Sequence, residues 1–163
     1  MSHNRSGVVV VGVDGSASSV RALVAGLCDA RSRHLAVEIV TAWSSRNPRP
    51  TERRLVLARA ARRRALRAQT AAMAAAVREV GDLPPVSAVI VEGDPAEVLT
   101  SAAKGADALV LGRCDHQEPA ERHTLSLSER CVRWATCPVV VVPSPTPSAT
   151  TSDAPRGVSH VGT

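Results

Sequence analysis

Asp14 follows an apolar run directly and is itself followed by Gly15 and Ser16. A carboxylate at the end of a buried strand can accept hydrogen bonds from a ribose hydroxyl or an adenine amine. The N-terminus of a helix that begins after it attracts anions. The same residues also fit a plain turn with a helix N-cap, because serine and aspartate are preferred there. The local sequence leaves nucleotide binding and a structural turn equally open.

Established catalytic motifs are absent from the sequence. There is no Gly-Lys-Ser/Thr of a Walker A loop, no Gly-x-Gly-x-x-Gly fingerprint and no Gly-x-Ser-x-Gly elbow. A phosphotransfer aspartate would have another acidic residue within two positions. Asp14 has none there, because Gly12 and Val13 precede it and Gly15 and Ser16 follow it. We therefore assign no catalytic residue.

The polar stretch 113–124 holds a further group of reactive residue types. Its spacing matches no standard zinc motif, so we interpret it as a polar surface loop and assign no metal site. The reactive residues are Cys114, Asp115, His116, Glu121 and His123. Cys114 follows a predicted strand end and is a candidate accessible thiol.

The chain of 163 residues is 44% hydrophobic, enough for one domain of ordinary size. No run reaches the roughly 18 apolar residues of a membrane span, and the start lacks a secretory cleavage site. The four cysteines form no Cys-x-x-Cys pair. We expect a cytoplasmic protein with reduced thiols and no membrane partner.

The amino-acid composition argues against nucleic acid as a partner. The chain has no Phe or Tyr, and its only aromatic residues are Trp43 and Trp134, so modules that stack bases on aromatic rings are disfavoured. The net charge of +5 comes from nineteen arginines and the single Lys104. This usage indicates the coding bias of a GC-rich genome and is weak evidence for an anionic partner.

Strands and helices alternate along the chain. Nearly unbroken apolar runs predict strands at 7–13, 35–43, 86–91, 106–112 and 139–142, while helices are predicted after Ser16 or Ser18, over 52–80, after Asp94, and after Ser126 or Ser128. This order predicts an α/β sheet of parallel strands, whose ligands bind beyond the carboxyl ends. If the first and fourth strands are neighbours, residues 14–16 lie opposite residues 112–115.

The long helix 52–80 carries an apolar arc and an arginine face. At 100° per residue the arc contains Leu55, Leu66, Met73, Val77 and Val80, and we expect it to face the core. Arg53, Arg63, Arg64 and Arg67 point away, while Arg59 and Arg62 lie nearer the apolar side. The arginines form either a solvated face or a patch for phosphate or an acidic partner.

Five fragments in register resemble the universal stress protein family, in its single-domain, actinobacterial type. They are VVVGVDGSASSVRAL, VTAW, VEGDPAEVL, ADALVLG and LSLSERCVRWATCPVVVVP. The resemblance implies a domain over 1–143 with a five-stranded parallel sheet in the order 3-2-1-4-5 and helices on both faces, similar to Rossmann and adenine nucleotide alpha hydrolase folds. Residues 144–163, rich in Pro, Ser and Thr, are expected to be a disordered tail.

The resemblance also implies an adenine nucleotide site. Asp14 matches the family's ribose or adenine ligand, and Ala42 matches the residue whose backbone contacts adenine. The family's phosphate loop, Gly-x2-Gly-x9-Gly-Ser/Thr, falls on Gly112, Asp115, Leu125 and Ser126.

Two of those three glycines are absent here, so ATP is possible but penalised. Leu125 is bulky where a backbone must approach phosphate. The charge of Asp115 would repel phosphate by about 4 kcal/mol at about 4 Å and an effective dielectric near 20. Arg113 is the candidate to compensate, and Ser126 and Ser128 keep hydroxyls.

Three functions are open at this point. The first is a nucleotide-responsive stress protein with at most slow ATP hydrolysis. The second, which the lost glycines favour, is a non-catalytic stress-response adaptor that works through its surfaces. The resemblance implies a homodimer through the last strand, Val139–Val142, and other protein partners are unknown. The third is nucleic-acid binding by the arginine-rich helix.

Overall fold

A computed structural model describes residues 7–44, 52–113 and 125–144. Residues 145–163 of the predicted tail and residues 114–124 of the predicted polar loop lie outside these ranges. The elements are β1 (Val8–Gly12), α1 (Ala17–Ser32), β2 (Ala36–Trp43), α2 (Glu52–Val80), β3 (Val86–Glu92), α3 (Pro95–Ala102), β4 (Ala108–Gly112), α4 (Leu127–Trp134) and β5 (Val139–Val142).

The five strands form one parallel sheet in the order β3-β2-β1-β4-β5. This confirms the predicted fold class and strand order. Strand β1 lies at the centre, with Val11 opposite Ile39 on β2 and Val110 on β4. Val9, Val10 and Val11 are fully buried because helices cover both faces, which explains why the run is apolar without alternation.

Successive residues of β1 belong to two separate cores. Val9 and Val11 pack with side chains of α1 and α2, whereas Val10 packs with side chains of α3 and α4. Helices therefore cover both faces of the sheet, as predicted. The order of strands also reverses at β1, so the crevice for a ligand opens between the ends of β1 and β4.

The predicted inward face of α2 is partly wrong. Met73 and Val80 do pack against the core, but Leu55, Leu66 and Val77 are exposed. The helix instead turns a stripe of small residues and one glutamine toward the protein: Ala58, Ala61, Ala65, Ala68, Gln69, Ala72 and Ala76. The reason is close packing, because small side chains let α2 approach α1 and the sheet.

Gln69 fixes that rotation of α2. Its amide nitrogen is buried and donates to the carbonyl oxygen of Val89 at 2.8 Å and to the hydroxyl oxygen of Thr41 at 3.2 Å. A buried amide must be hydrogen-bonded to avoid a desolvation cost, so Gln69 faces the sheet although it is polar. Hydrophobic periodicity cannot detect such a residue.

The predicted N-cap of α3 is confirmed. Asp94 accepts hydrogen bonds from the backbone nitrogens of Ala96 and Glu97, at 3.0 and 3.2 Å. Both carboxylate oxygens of Asp94 also accept from Arg130 on α4, at 2.6 and 3.1 Å. The Arg130 guanidinium holds the pKa of Asp94 below its usual range, and Asp94 raises the pKa of Arg130. This fork ties α4 to α3 and so positions the start of α4.

Candidate functional site

A cleft of about 140 Å³ lies beyond the carboxyl ends of β1 and β4. The volume is below the range of about 300–1,000 Å³ for sites of drug-sized ligands, so the described part of the cleft suits a group the size of a nucleobase or a sugar. The start of α1 supplies its polar wall, and apolar side chains form the rest. It is lined by Gly12, Val13, Asp14, Ser16, Ser18, Ser19, Val40, Ala42, Pro95, Leu99, Leu111, Gly112 and Leu127.

Asp14 is held by the residue that caps α1. Its Oδ1 accepts hydrogen bonds from the backbone nitrogen of Ser16 at 2.9 Å and from the hydroxyl of Ser16 at 2.6 Å. The same hydroxyl oxygen accepts from the backbone nitrogen of Ser19 at 3.2 Å, which makes Ser16 the N-cap. The carboxylate is thus preorganised with acceptor capacity left for a ligand hydroxyl, since a carboxylate has about four lone-pair positions.

Two opposing effects set the ionisation of Asp14. Partial burial favours the neutral acid, but the hydrogen bonds from the hydroxyl and the backbone of Ser16 outweigh it and leave the pKa of Asp14 below its usual value. The side chain is therefore an anion at neutral pH. It can accept hydrogen bonds from a ligand but repels a phosphate placed against it.

Gly112 brings the first turn of α1 against β4. A Cβ atom at Gly112 would lie 2.4 Å from the backbone carbon and oxygen of Ser18 and 2.8 Å from the backbone nitrogen of Ser19. No side chain fits there without moving the helix. The glycine therefore has a structural role in addition to lining the cleft.

The start of α4 is closed by a capping box. The hydroxyl oxygen of Ser126 accepts from the backbone nitrogen of Glu129 at 3.3 Å, and the backbone nitrogen of Ser126 donates to Oε2 of Glu129 at 2.7 Å. These hydrogen bonds from Ser126 keep the pKa of Glu129 below its usual range. A carboxylate thus occupies the helix terminus that would otherwise attract a phosphate.

The structure brings only part of the predicted site together. Asp14, Ala42 and Gly112 all line the cleft. Arg113, Ser126 and Ser128 are not among the lining residues, and the neighbour Leu127 takes that place. Arg113 is exposed, and its backbone nitrogen donates to Val142 at 2.9 Å.

Sequence reasoning missed two contributions to the site. Ser18 and Ser19 line the cleft as part of α1, whereas the sequence predicts for Ser18 only a role as a helix cap. Glu129 closes the start of α4, and the spacing Ser126-x-x-Glu129 is the sequence signature of a capping box that could have revealed it.

The residues that bear on metal, thiol and membrane chemistry give no further site. Among the described residues no group of three or more His, Cys, Asp or Glu is placed to hold a metal ion, and the predicted metal-free stretch with Cys114, His116 and His123 lies outside them. Burial raises the pKa of Cys131 to about 11, so this thiol is inert at neutral pH. No helix in the described ranges is long and apolar enough to cross a membrane.

The fold and the cleft define a class: a Rossmann-like α/β protein with a site at the point where the strand order reverses. The model of the universal stress protein family matches residues 6–143. The chain belongs to that family. No curated protein sequence matches it.

Solved structures that are similar to the chain include the following three. The universal stress protein UspA from Lactobacillus plantarum is 21% identical, with a TM-score of 0.69 over 83% of this chain and 96% of that one. A protein of the family from Burkholderia pseudomallei is 28% identical, with a TM-score of 0.61 over 85% and 96%. A universal stress protein in complex with cAMP is 27% identical, with a TM-score of 0.56 over 83% and 95%.

Proposed function

We propose that this universal stress protein is a non-enzymatic stress-response regulator whose cleft binds the adenosine part of a nucleotide with a short phosphate group. The observation that carries the proposal is Asp14, an oriented carboxylate at the rim of a cleft of nucleobase size. The similar universal stress protein that binds cAMP supports the ligand class. A regulator needs a conformation that depends on its ligand and does not need a catalytic residue. We assign no catalytic residue.

ATP fits the cleft less well than a monophosphate or a cyclic nucleotide. The residues toward the nucleoside are suitable, because Asp14 accepts hydrogen bonds and Ala42 leaves space. The residues toward the outer phosphates are not. Glu129 holds the terminus of α4 with its own carboxylate, and Leu125 stands where the family pattern has glycine. A triphosphate would have to displace that carboxylate and overcome its charge.

Calorimetric titration of cyclic AMP, AMP and ATP into the purified protein tests this proposal. We expect micromolar binding of cyclic AMP or AMP and weaker binding of ATP. Asp14→Asn should weaken the binding by about tenfold or more, since a hydrogen bond to a charged group contributes about 1.5–3 kcal/mol. Asp82→Asn, an exposed aspartate in the turn after α2, is the matched control and should bind normally.

Glu129→Gln distinguishes the contribution of the nucleoside to binding from the contribution of the outer phosphates. The variant keeps a hydrogen-bonding side chain but removes the negative charge from the start of α4, so ATP affinity should rise about threefold while cyclic AMP affinity changes less. Equal affinity of the unaltered protein for ATP and AMP would favour the alternative, an ATP-dependent switch of partner binding. No heat with any nucleotide at millimolar concentration would contradict both and leave an adaptor that works through its surfaces.

We also propose that two copies pair through β5 and that the protein acts in the cytoplasm. Strand β5 is an edge strand, paired to β4 on one side, and its Val140 is 48% exposed. An exposed apolar edge favours association with another strand. The described cysteines Cys28, Cys131 and Cys137 are free thiols, consistent with a reducing compartment.

Sedimentation analysis of Val140→Lys tests the dimer. The added charge should convert a dimer to a monomer without unfolding it. Val89→Lys, at an exposed valine on the opposite edge strand β3, should leave the dimer intact. A monomeric unaltered protein, or equal effects of the two variants, would rule out pairing through β5.

A further inference from the structure

The positive charge of the protein is concentrated in α2. Helix α2 has eight arginines and two acidic residues, Glu52 and Glu79, which lie at its two ends. The whole chain has 20 basic and 15 acidic residues, so the rest of it carries 12 basic against 13 acidic, a net charge of −1. The high isoelectric point is thus a property of one helix, and a general coding bias does not explain that distribution.

The same helix exposes a line of apolar side chains, which we call the α2 stripe: Leu55, Leu66 and Val77. They are 63%, 47% and 41% exposed. Their spacing is eleven residues, or close to three helical turns, so they lie along the helix axis about 16 Å apart. The stripe is available because the alanines of α2 and Gln69 face the protein.

Arginines interrupt this stripe. Arg59 and Arg62 lie four and seven residues after Leu55, on the same side of the helix, and both are exposed. The side of α2 that is left open therefore alternates an apolar residue, two guanidinium groups and a second apolar residue. A complementary surface must offer both carboxylates and apolar side chains.

Other occupants match this pattern poorly. A second copy of α2 would bring arginines against arginines. A membrane surface favours a helix with an unbroken apolar face and interfacial aromatic residues, whereas α2 has cations within the stripe and no aromatic residue. A nucleic-acid backbone would pair with the arginines but leave Leu55 and Leu66 without apolar partners.

We propose that the α2 stripe is a docking surface for an acidic amphipathic helix of another protein. Carboxylates of that helix form bidentate pairs with Arg59 and Arg62, which guanidinium groups favour over single contacts. Its apolar side chains pack on Leu55 and Leu66. The site is separate from the nucleotide cleft and does not depend on it.

The probe is a labelled synthetic peptide with leucines at eleven-residue spacing and glutamates between them, measured by fluorescence anisotropy. We expect the peptide to bind the full chain. Arg59→Gln with Arg62→Gln should weaken binding about tenfold, and so should Leu55→Ser with Leu66→Ser. All four side chains are exposed, so circular dichroism should show both variants folded.

Arg64→Gln with Arg67→Gln is the charge-matched control, since these exposed arginines lie off the stripe, neither of them three or four residues from Leu55 or Leu66. It should weaken binding less than about threefold. Arg59→Lys with Arg62→Lys keeps the charge but loses the bidentate geometry, and should weaken binding severalfold.

Three results would overturn the proposal. One is an equal loss in both arginine-to-glutamine pairs, which would mean general electrostatic attraction. Another is unchanged binding in the leucine variant. The third is tighter binding of duplex DNA or of vesicles containing phosphatidylglycerol than of the peptide, which would assign the surface to nucleic acid or to a membrane instead.

Discussion

Helices α1 and α2 cover the same face of the sheet, but they are held there in different ways. Helix α1 buries large side chains, among them Leu23 and Leu27, and crosses the sheet so closely that Gly26 and Gly112 have no room for a side chain. Helix α2 buries alanines and one glutamine and leaves most of its larger apolar residues exposed, although Met73 and Val80 are partly buried.

The difference shows that the size of a residue does not decide which side of a helix is buried. In α1 the large apolar side chains Leu23 and Leu27 do lie on the buried side, because this helix covers the central strand. For α2 the inward side must be small and the hydrogen bonds of Gln69 fix the rotation. Substitutions on the inward side of each helix should thus be costly, and those on the open side of α2 should not.

Among the substitutions that enlarge a side chain, Gly112→Ala should have the largest effect. The new methyl group would meet the backbone of Ser18, which cannot move without shifting α1, so unfolding free energy should fall by about 3 kcal/mol. Gly26→Ala is the control. Its Cβ would lie 2.6 Å from a methyl group of the buried Val11, which must shift, but no backbone atom is in the way and alanine stabilises a helix relative to glycine, so the loss should be smaller, about 2 kcal/mol. Urea unfolding measures both, and equal losses would contradict the assigned backbone contact.

Ala76→Leu tests the inward side of α2. Ala76 is fully buried, so the larger side chain should cost about 2 kcal/mol through overpacking. The same change at the exposed Ala74 should be close to neutral. If thermal unfolding shows both variants equally stable, the rotation of α2 described above is incorrect.

Asp14, at the start of α1, should make the unfolding free energy depend on pH in the acidic range. Because the folded pKa of Asp14 lies below its unfolded value, its contribution is fully present above the unfolded pKa, near 4, and is lost as pH falls through the folded pKa. The difference in unfolding free energy between the unaltered protein and Asp14→Asn should therefore shrink at low pH. We expect a change of less than about 1 kcal/mol, since Asp14 lies at the open rim of the cleft, where solvent screens part of its interactions. A difference that is constant with pH would exclude this role.

The smallest effect is expected on the open side of α2. Leu66→Ser removes an exposed side chain and should change unfolding free energy by less than about 0.5 kcal/mol. Leu23→Ser, at the fully buried leucine of α1, provides the contrast and should severely destabilise the protein. A large loss for Leu66→Ser would mean that the side chain belongs to the core.

The sheet could be predicted from the sequence because its signals are local. Local sequence alone predicts β1 and β5 from their valine runs, and it predicts the start of α3 from its cap, Asp94. The strand order came from the family resemblance. The rotation of α2 could not be predicted, because alanine carries little hydrophobic signal and the role of Gln69 appears only when β3 lies beside it.

The site was predictable to a similar extent. Asp14 and Ala42 occupy strand ends, and the topology of the sheet brings strand ends together. Ser126 is adjacent to the lining residue Leu127, but its hydrogen bonds are made with Glu129. Whether a hydroxyl is open to a ligand depends on which partner it already has, and spacing within a motif does not carry that information.

The close approach at Gly112 changes how the family's glycine pattern should be interpreted. Of the three positions in that pattern, only this one keeps glycine in the chain, and it is the one that folding requires whether or not a nucleotide is bound. Selection for a stable protein would preserve Gly112 after selection for phosphate binding had ceased. A glycine at this position therefore indicates that α1 packs closely on β4. Phosphate binding should be judged from glycines at the other two positions.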